Sequence, residues 1–315
     1  MMRTMTMRIP YRLGVAAALC GLLAGCGTKE GPAASVPERT FATAEEAVTA
    51  LIAAAERFDV PELKAILGPE GEPLVASADT VADRNHAAAF VSEARVQQQL
   101  EFDSAGTSAV LSVGAENWPM PIPIVAQDGR WYFDAATGKE EILRRRIGQN
   151  ELDAITMCRG FVEAQRAYAL IRHDGSLLNQ YAQRIVSTPG KQDGLAWQNA
   201  DGTWEGPVGE EIARVITEGY SDRSQPFHGY YYKVLKGQGP AAPLGAMDFM
   251  VEGAMIGGFA LVAAPAEHGV TGIQTFMVSW EGVVYQKDLG DQTLDTFRTM
   301  ELYNPDSTWT AVEQP

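Results

Sequence analysis

The sequence predicts an α+β protein in which each half places helices before an antiparallel sheet. In both halves, apolar residues first recur at helical spacing, and short runs rich in β-branched and aromatic residues follow. Helices and strands that are segregated in this way are typical of an α+β layer arrangement. We therefore expect two α+β domains, at residues 41–146 and 147–315, behind an N-terminal targeting segment.

The N-terminus has the features of a lipoprotein signal peptide at residues 1–25. Three arginines and no acidic residue precede a short apolar stretch at 13–24, which is too short for a good membrane span. The stretch ends in the tetrapeptide LAGC, which resembles the lipobox of bacterial lipoproteins. This resemblance implies that the chain is cut before Cys26 and that Cys26 is the site of lipid attachment. A plain secretory signal with an incidental cysteine is the alternative.

The residues that follow Cys26 predict the location of the protein in the cell. Gly27, rather than Asp, comes next, and by resemblance to sorted lipoproteins this favours the periplasmic face of the outer membrane if the cell is Gram-negative. Residues 26–40 are small, polar and rich in Pro and Gly, which is typical of a flexible tether. We therefore expect a cell-envelope protein that is attached to the membrane through its lipid anchor.

The net charge argues against nucleic acid as a partner. The whole chain carries −15 at pH 7, and loss of residues 1–25 removes three arginines and no acidic residue, which gives −18. Such an acidic chain is a poor candidate for binding nucleic acid or an anionic lipid surface.

Cys158 is predicted to be the one free cysteine of the mature chain. Cys20 leaves with the signal peptide and Cys26 is acylated, so we expect no disulfide. Cys158 lies among apolar residues at helical spacing, which indicates a buried small hydrophobe rather than a nucleophile.

The first half reads as helices followed by a meander of short strands. Thr43 and Glu46 have the spacing of a capping box, and the Asp128-Gly129 turn separates the last two strands. Helices are predicted at 44–58, 61–67 and 83–97, and strands at 99–103, 108–114, 121–126 and 130–134. This order resembles the NTF2-like, cystatin-type fold, which implies a curved sheet around the helices and a cone-shaped pocket.

The second half begins with a long helix, predicted at 150–171. The basic segment before it contains Glu140/Arg144 and Glu141/Arg145 pairs, which favour a solvated helix over a phosphate site. A Gly-rich loop at 187–197 and a helix at 209–220 come next, and strands are predicted at 228–235, 247–253, 257–266, 273–280 and 283–290. The order resembles the globular head of type IV pilins, but a charged segment replaces the fibre-forming apolar helix end, so fibre assembly is not implied.

Longer motifs resemble the bacterial family catalogued as domain of unknown function 2950. They include TFATAEEAVTALIAAA, YAQRIVSTPGKQDGLAW and FHGYYYKVLKGQGPAAP, and the likeness spans roughly residues 40–312. It implies secreted or lipid-anchored envelope proteins with no established activity. Many members carry an acidic D-x-D-G-x-G loop after the long helix. In this chain only Asp174 remains there as a hard ligand, so we expect no calcium site. We also expect no other metal and no cofactor.

Two segments are candidates for a partner-binding surface. The candidate residues are Lys191, Asp193, Trp197, His228, Tyr230, Tyr231 and Tyr232. Because side chains alternate along a strand, we expect Tyr230 and Tyr232 on one face and Tyr231 on the other. One of these faces could expose aromatic rings to a protein or to sugars. A structured turn in the loop and a core-plus-edge strand are the alternatives.

These observations favour a non-catalytic binding or assembly protein of the envelope, with an envelope protein or a polysaccharide as partner. The common hydrolase, zinc-protease and nucleotide-binding motifs are not found in the sequence. An NTF2-like pocket enzyme with an Asp or His general base is the alternative, and a pseudopilin-like structural subunit is a third.

Overall fold

The computed structural model describes residues 39–220 and 225–313. The predicted signal peptide, Cys26 and nearly all of the predicted tether lie outside the described residues. The described residues belong to one compact unit. None of their helices is long and apolar enough to cross a bilayer.

The first half consists of four helices and an antiparallel sheet. The helices are α1 Ala44–Arg57, α2 Val60–Leu67, α3 Glu72–Val75 and α4 Thr80–Val96. The strands are β1 Gln98–Phe102, β2 Ser108–Val113, β3 Trp118–Pro119, β4 Ile124–Gln127 and β5 Arg130–Phe133. They are ordered β1-β2-β4-β5, with β3 also paired to β2.

Local signals explain why the first-half elements begin and end where they do. The Thr43 hydroxyl accepts a hydrogen bond from the Glu46 amide at 3.2 Å, and the Glu46 carboxylate accepts one from the Ala42 amide at 3.1 Å. The predicted capping therefore starts α1, although the carboxylate reaches Ala42 rather than Thr43. Asp128 and Gly129 both have positive φ, 51° and 75°, as a two-residue hairpin between β4 and β5 requires.

A single long helix, α5 Ala135–Tyr168, links the two halves. It is longer than the helix predicted at 150–171, because the basic segment before residue 150 continues the same helix without a proline to interrupt it. The predicted domain boundary at 146/147 falls inside α5. Independent folding of the two halves stays a prediction.

The second half packs α5 against a five-stranded antiparallel sheet. Its elements are β6 Arg184–Val186, β7 Gly194–Gln198, β8 Trp204–Glu205, α6 Gly209–Thr217, β9 Tyr230–Leu235, β10 Gly237–Gln238, β11 Met247–Asp248, β12 Met250–Val251, β13 Ala254–Met255, β14 Ala260–Pro265, β15 Gln274–Ser279, β16 Val284–Asp288, α7 Thr293–Thr299, β17 Leu302–Tyr303 and β18 Thr310–Ala311. The main sheet has the order β18-β16-β15-β14-β9. Smaller sheets flank it, formed by β6-β7-β8, β11-β10-β17 and β12-β13.

Two groups of buried apolar residues correspond to the two halves. One lies between the first helices and the first sheet and includes Ile66, Leu111 and Ile124. The other lies between α5 and the main sheet and includes Cys158 and Phe276. The predicted α+β class is confirmed, whereas the NTF2-like and pilin-like likenesses remain resemblances.

Candidate functional site

Strand β9 carries Tyr230, Tyr231 and Tyr232 and is called the tyrosine strand below. Its side chains alternate between two faces, and other parts of the protein cover both faces. Tyr230 belongs to the same buried core as Cys158 of α5, and Tyr232 packs against that core. Tyr231 faces α7, where its ring is 6.4 Å from that of Phe297. The predicted alternation is therefore confirmed, but helices pack on both sides of the strand.

Burial limits which of these rings a partner could reach. Tyr230 is wholly buried, its hydroxyl donates to the Gln274 carbonyl at 2.9 Å, and burial raises its pKa. The Tyr232 hydroxyl is buried and has no hydrogen-bond partner among the described residues. Tyr231 is half-buried. Tyr230 thus belongs to the core, and Tyr231 keeps some solvent-facing surface.

The other predicted residues lie in two separate environments. The Asp193 carboxylate accepts hydrogen bonds from the Thr188 amide and hydroxyl at 2.7 and 2.8 Å, and these bonds close the loop. Lys191 on that loop is exposed, and the Trp197 ring packs 5.5 Å from the ring of His173. His228 pairs instead with Asp153 of α5, at 2.9 Å. A partner-binding role for the set stays a prediction.

The first half contains a cavity whose lining residues the sequence did not identify, although the NTF2-like resemblance implies a pocket in this half. It has a volume of about 390 Å³, within the range of roughly 300–1,000 Å³ that is common for small-molecule sites. Residues of α1 to α5, β2 and β5 line it, and among the described lining residues fourteen are apolar and five are polar. The polar ones are Asp83, His86, Arg145, Arg146 and Gln149.

Asp83 and Arg146 form the buried part of the polar lining. Their side chains are 3% and 8% exposed, and the Arg146 guanidinium lies 3.9 Å from the Asp83 carboxylate. Arg146 also donates to the carbonyls of Pro73 and Leu74 at 2.6 and 2.7 Å. The Asp83 carboxylate accepts from the amide of Ser77 at 2.6 Å and from its hydroxyl. Both charges are therefore held by the surrounding backbone as well as by each other.

His86 lies at the solvent-facing part of the lining. Packing against protein lowers its pKa, and the positive charge of Arg146 lowers it further, while Asp83 and Asp79 oppose the change. The residue nevertheless remains exposed. The lowered pKa favours the neutral form of the His86 imidazole.

This arrangement can accept a small apolar molecule whose polar end stays near the exposed polar residues. The apolar walls supply the hydrophobic contribution to binding, and the few polar groups fix the orientation. Among the described lining residues there is no Ser, Thr, Cys, Lys or Tyr. No group of three or more His, Cys, Asp or Glu side chains in the described part of the chain could hold a metal ion.

One family model matches this chain, over residues 38–312, and its description is "Protein of unknown function (DUF2950)". No curated protein and no solved structure matches the chain. The matched region contains both groups of core residues and all of the described residues that line the cavity. It covers most of the sequence, and the chain therefore belongs to the DUF2950 family.

Proposed function

We propose that this protein is a non-catalytic binding protein of the bacterial cell envelope that holds a small, mainly apolar molecule in the cavity of its first half. The observation that carries the proposal is the cavity itself: about 390 Å³, fourteen apolar lining residues and a small polar group. A bound apolar molecule would gain packing contacts with these apolar side chains and would remove their surface from water.

The bonding of the polar residues favours binding over catalysis. A general base must be able to reach a substrate proton within hydrogen-bond distance. The Asp83 carboxylate is instead engaged by Ser77 and by the charge of Arg146. Arg146 in turn holds two backbone carbonyls. These side chains serve the local fold as well as the cavity, which suits a rigid binding site.

The envelope location rests on the N-terminal sequence. The arginines, the short apolar stretch and the LAGC tetrapeptide support a lipid anchor at Cys26 and the periplasmic face of the outer membrane if the cell is Gram-negative. Within that compartment, the exposed Lys191 and the half-buried Tyr231 are two of the residues through which we expect contact with an envelope protein or a polysaccharide. The cavity and this surface are separate features of the same binding protein.

A pocket enzyme is the second candidate, and His86 is the observation that favours it. A neutral imidazole at the edge of an apolar cavity is a reasonable general base at pH 7. In that case, His86→Gln would abolish turnover of a substrate that still binds. A binding protein would lose little when His86 alone is changed.

The test of the proposed function compares two variants of one helix. Ala87 lines the cavity, whereas Ala89 on the same helix is exposed and does not line it. We expect the chain to bind N-phenyl-1-naphthylamine, a neutral apolar fluorophore, and Ala87→Phe to abolish that binding while Ala89→Phe preserves it. Equal binding by both variants would show that the fluorophore reports another surface and would remove the support for the cavity as a binding site.

A further inference from the structure

We propose that the ligand of this cavity is an amphiphile with an aliphatic body and a carboxylate head, and that the head is bound at the Arg145/Arg146 end of the lining. The inference rests on the proposed function, and it specifies the chemistry of the ligand. Three features of the lining support it: the segregation of polar from apolar residues, the sign of the charge, and the hydrogen-bond donors that the arginines retain.

The polar and apolar lining residues of α4 are separated along the helix. Asp83 and His86 come first, and Ala87 and Phe90 follow on the same face at i+4 and i+7 from Asp83. Seven residues of α-helix span roughly 10 Å. One end of the cavity wall is therefore polar and the other is apolar, as an amphiphile requires.

Helix α5 repeats this separation in the opposite chain direction. Ile142 contributes to the apolar lining, and Arg145, Arg146 and Gln149 follow it. The 3.9 Å ion pair between Arg146 and Asp83 joins the polar segments of the two helices. All five polar lining residues thus belong to two neighbouring segments, and the remaining lining is apolar.

The charged groups that face the cavity favour an anion. The lining contains two arginines and one aspartate, whereas the other carboxylates that act on these arginines, Glu141 on Arg145 and Glu267 and Asp79 on Arg146, do not line it. A head inside the cavity therefore meets more guanidinium than carboxylate groups. An ammonium head would meet two guanidinium groups, and a head with several negative charges would also lie near Asp83.

The arginines retain donors for a carboxylate. A guanidinium has five N–H groups, and the protein acceptors found for Arg146 are the carbonyls of Pro73 and Leu74, with Asp83 3.9 Å away. Arg145 uses its Nε to bond Glu141 at 2.7 Å, and its side chain is 44% exposed. A planar carboxylate matches the fork of donors on a guanidinium better than a hydroxyl does.

The test uses three ligands that share a ten-carbon chain and differ only in the head: decanoate, decanol and decylammonium. The full chain with Cys26→Ser is used so that no acyl anchor or detergent competes, and affinities are measured by isothermal titration calorimetry at a neutral to mildly alkaline pH. Hydrogen bonds to charged groups predict that decanoate binds about tenfold or more tightly than decanol. Decylammonium should bind most weakly.

A matched pair of arginine variants locates the head. Arg144 and Arg145 are adjacent and both pair with Glu141, but only Arg145 lines the cavity. We expect Arg145→Gln to reduce the preference for decanoate over decanol several-fold and Arg144→Gln to leave it unchanged. This comparison avoids Arg146, whose bonds to Pro73 and Leu74 tie it to folding.

The outcomes separate this inference from the proposed function. If decanol and decylammonium bind as tightly as decanoate, the cavity binds aliphatic chains without selecting the head, and the carboxylate inference is overturned while the proposed function stands. Equal effects of the Arg144 and Arg145 variants would overturn the placement of the head. If none of the three ligands binds and the naphthylamine fluorophore also fails to bind, the proposed function itself is overturned.

Discussion

The hydroxyl of Tyr220 donates a hydrogen bond of 3.1 Å to the carboxylate of Asp79, and this bond connects the first half of the chain to the second. The same carboxylate accepts from the Gly229 amide at 2.8 Å and caps α4 by accepting from the Ala82 amide at 2.9 Å. Asp79 is 2% exposed. One buried carboxylate therefore fixes the start of a cavity-lining helix and ties it to the second half.

We expect Tyr220→Phe to destabilise the protein by about 1.5–3 kcal/mol, because the change removes one hydrogen bond to a buried charged group and leaves the ring in place. Tyr132→Phe is the matched control, since that hydroxyl donates to the neutral amide oxygen of Gln127 at 3.2 Å. Its expected cost is about 0.5–1.5 kcal/mol. Urea unfolding of both variants gives the comparison, and a smaller effect at Tyr220 than at Tyr132 would contradict the role assigned to Asp79.

The lowered pKa of His86 predicts a loss of stability in mild acid. Burial and Arg146 hold its folded pKa below the unfolded value of 6.5, so the unfolded chain binds more protons once the pH falls below that value. The free energy of unfolding should therefore fall as the pH drops through the unfolded pKa of 6.5, and His86→Gln should reduce that fall. If His86→Gln loses as much stability in acid as the wild type, or more, then protonation of His86 does not destabilise the folded protein.

Cys158 is expected to be chemically inert in the folded protein. Its side chain is 0% exposed, and burial raises the pKa of its thiol to about 12. The reactive thiolate is therefore both scarce and inaccessible. A maleimide should modify the mature chain only after unfolding in urea, and mass spectrometry should place the modification at Cys158. Rapid modification of the native chain would argue for an accessible thiol and against its place in the core.

The lipid anchor is tested by changing one residue. Metabolic labelling with an alkyne analogue of palmitate should mark the wild-type protein, and Cys26→Ser should abolish both the label and the fractionation with membranes. Cys158→Ser serves as the control for loss of a thiol and should keep both. Label that persists in the Cys26 variant would rule out Cys26 as the attachment site.

Local sequence signals predicted most of the elements, because each depends on residues close in the chain. Thr43 with Glu46 marks the start of α1, and Asp128-Gly129 marks a hairpin. The length of α5 was underestimated because its charged beginning and its apolar continuation have different patterns, and both are helical. Alternation predicted the faces of the tyrosine strand, but Phe297 covers Tyr231 from a helix much later in the sequence.

The NTF2-like resemblance implies a pocket in the first half, but the residues that line the cavity could not be predicted, because they are brought together only by tertiary packing. The spacing of Asp83, His86, Ala87 and Phe90 is that of residues on one face of a helix. Nothing local indicates that this face meets Arg146, or that the space between the helices and the sheet is left unfilled. Whether side chains fill an interior depends on their combined volumes and on the backbone geometry.

The central claim is that the cavity holds a small molecule, and native mass spectrometry tests it most directly. The chain with Cys26→Ser is purified from a bacterial periplasm without detergent and compared with the same chain carrying Ala87→Phe or Ala89→Phe. The account predicts a bound small molecule on the first protein and on the Ala89 variant, and its loss from the Ala87 variant. Bare protein mass in all three, together with no uptake of any aliphatic or aromatic ligand, would contradict it.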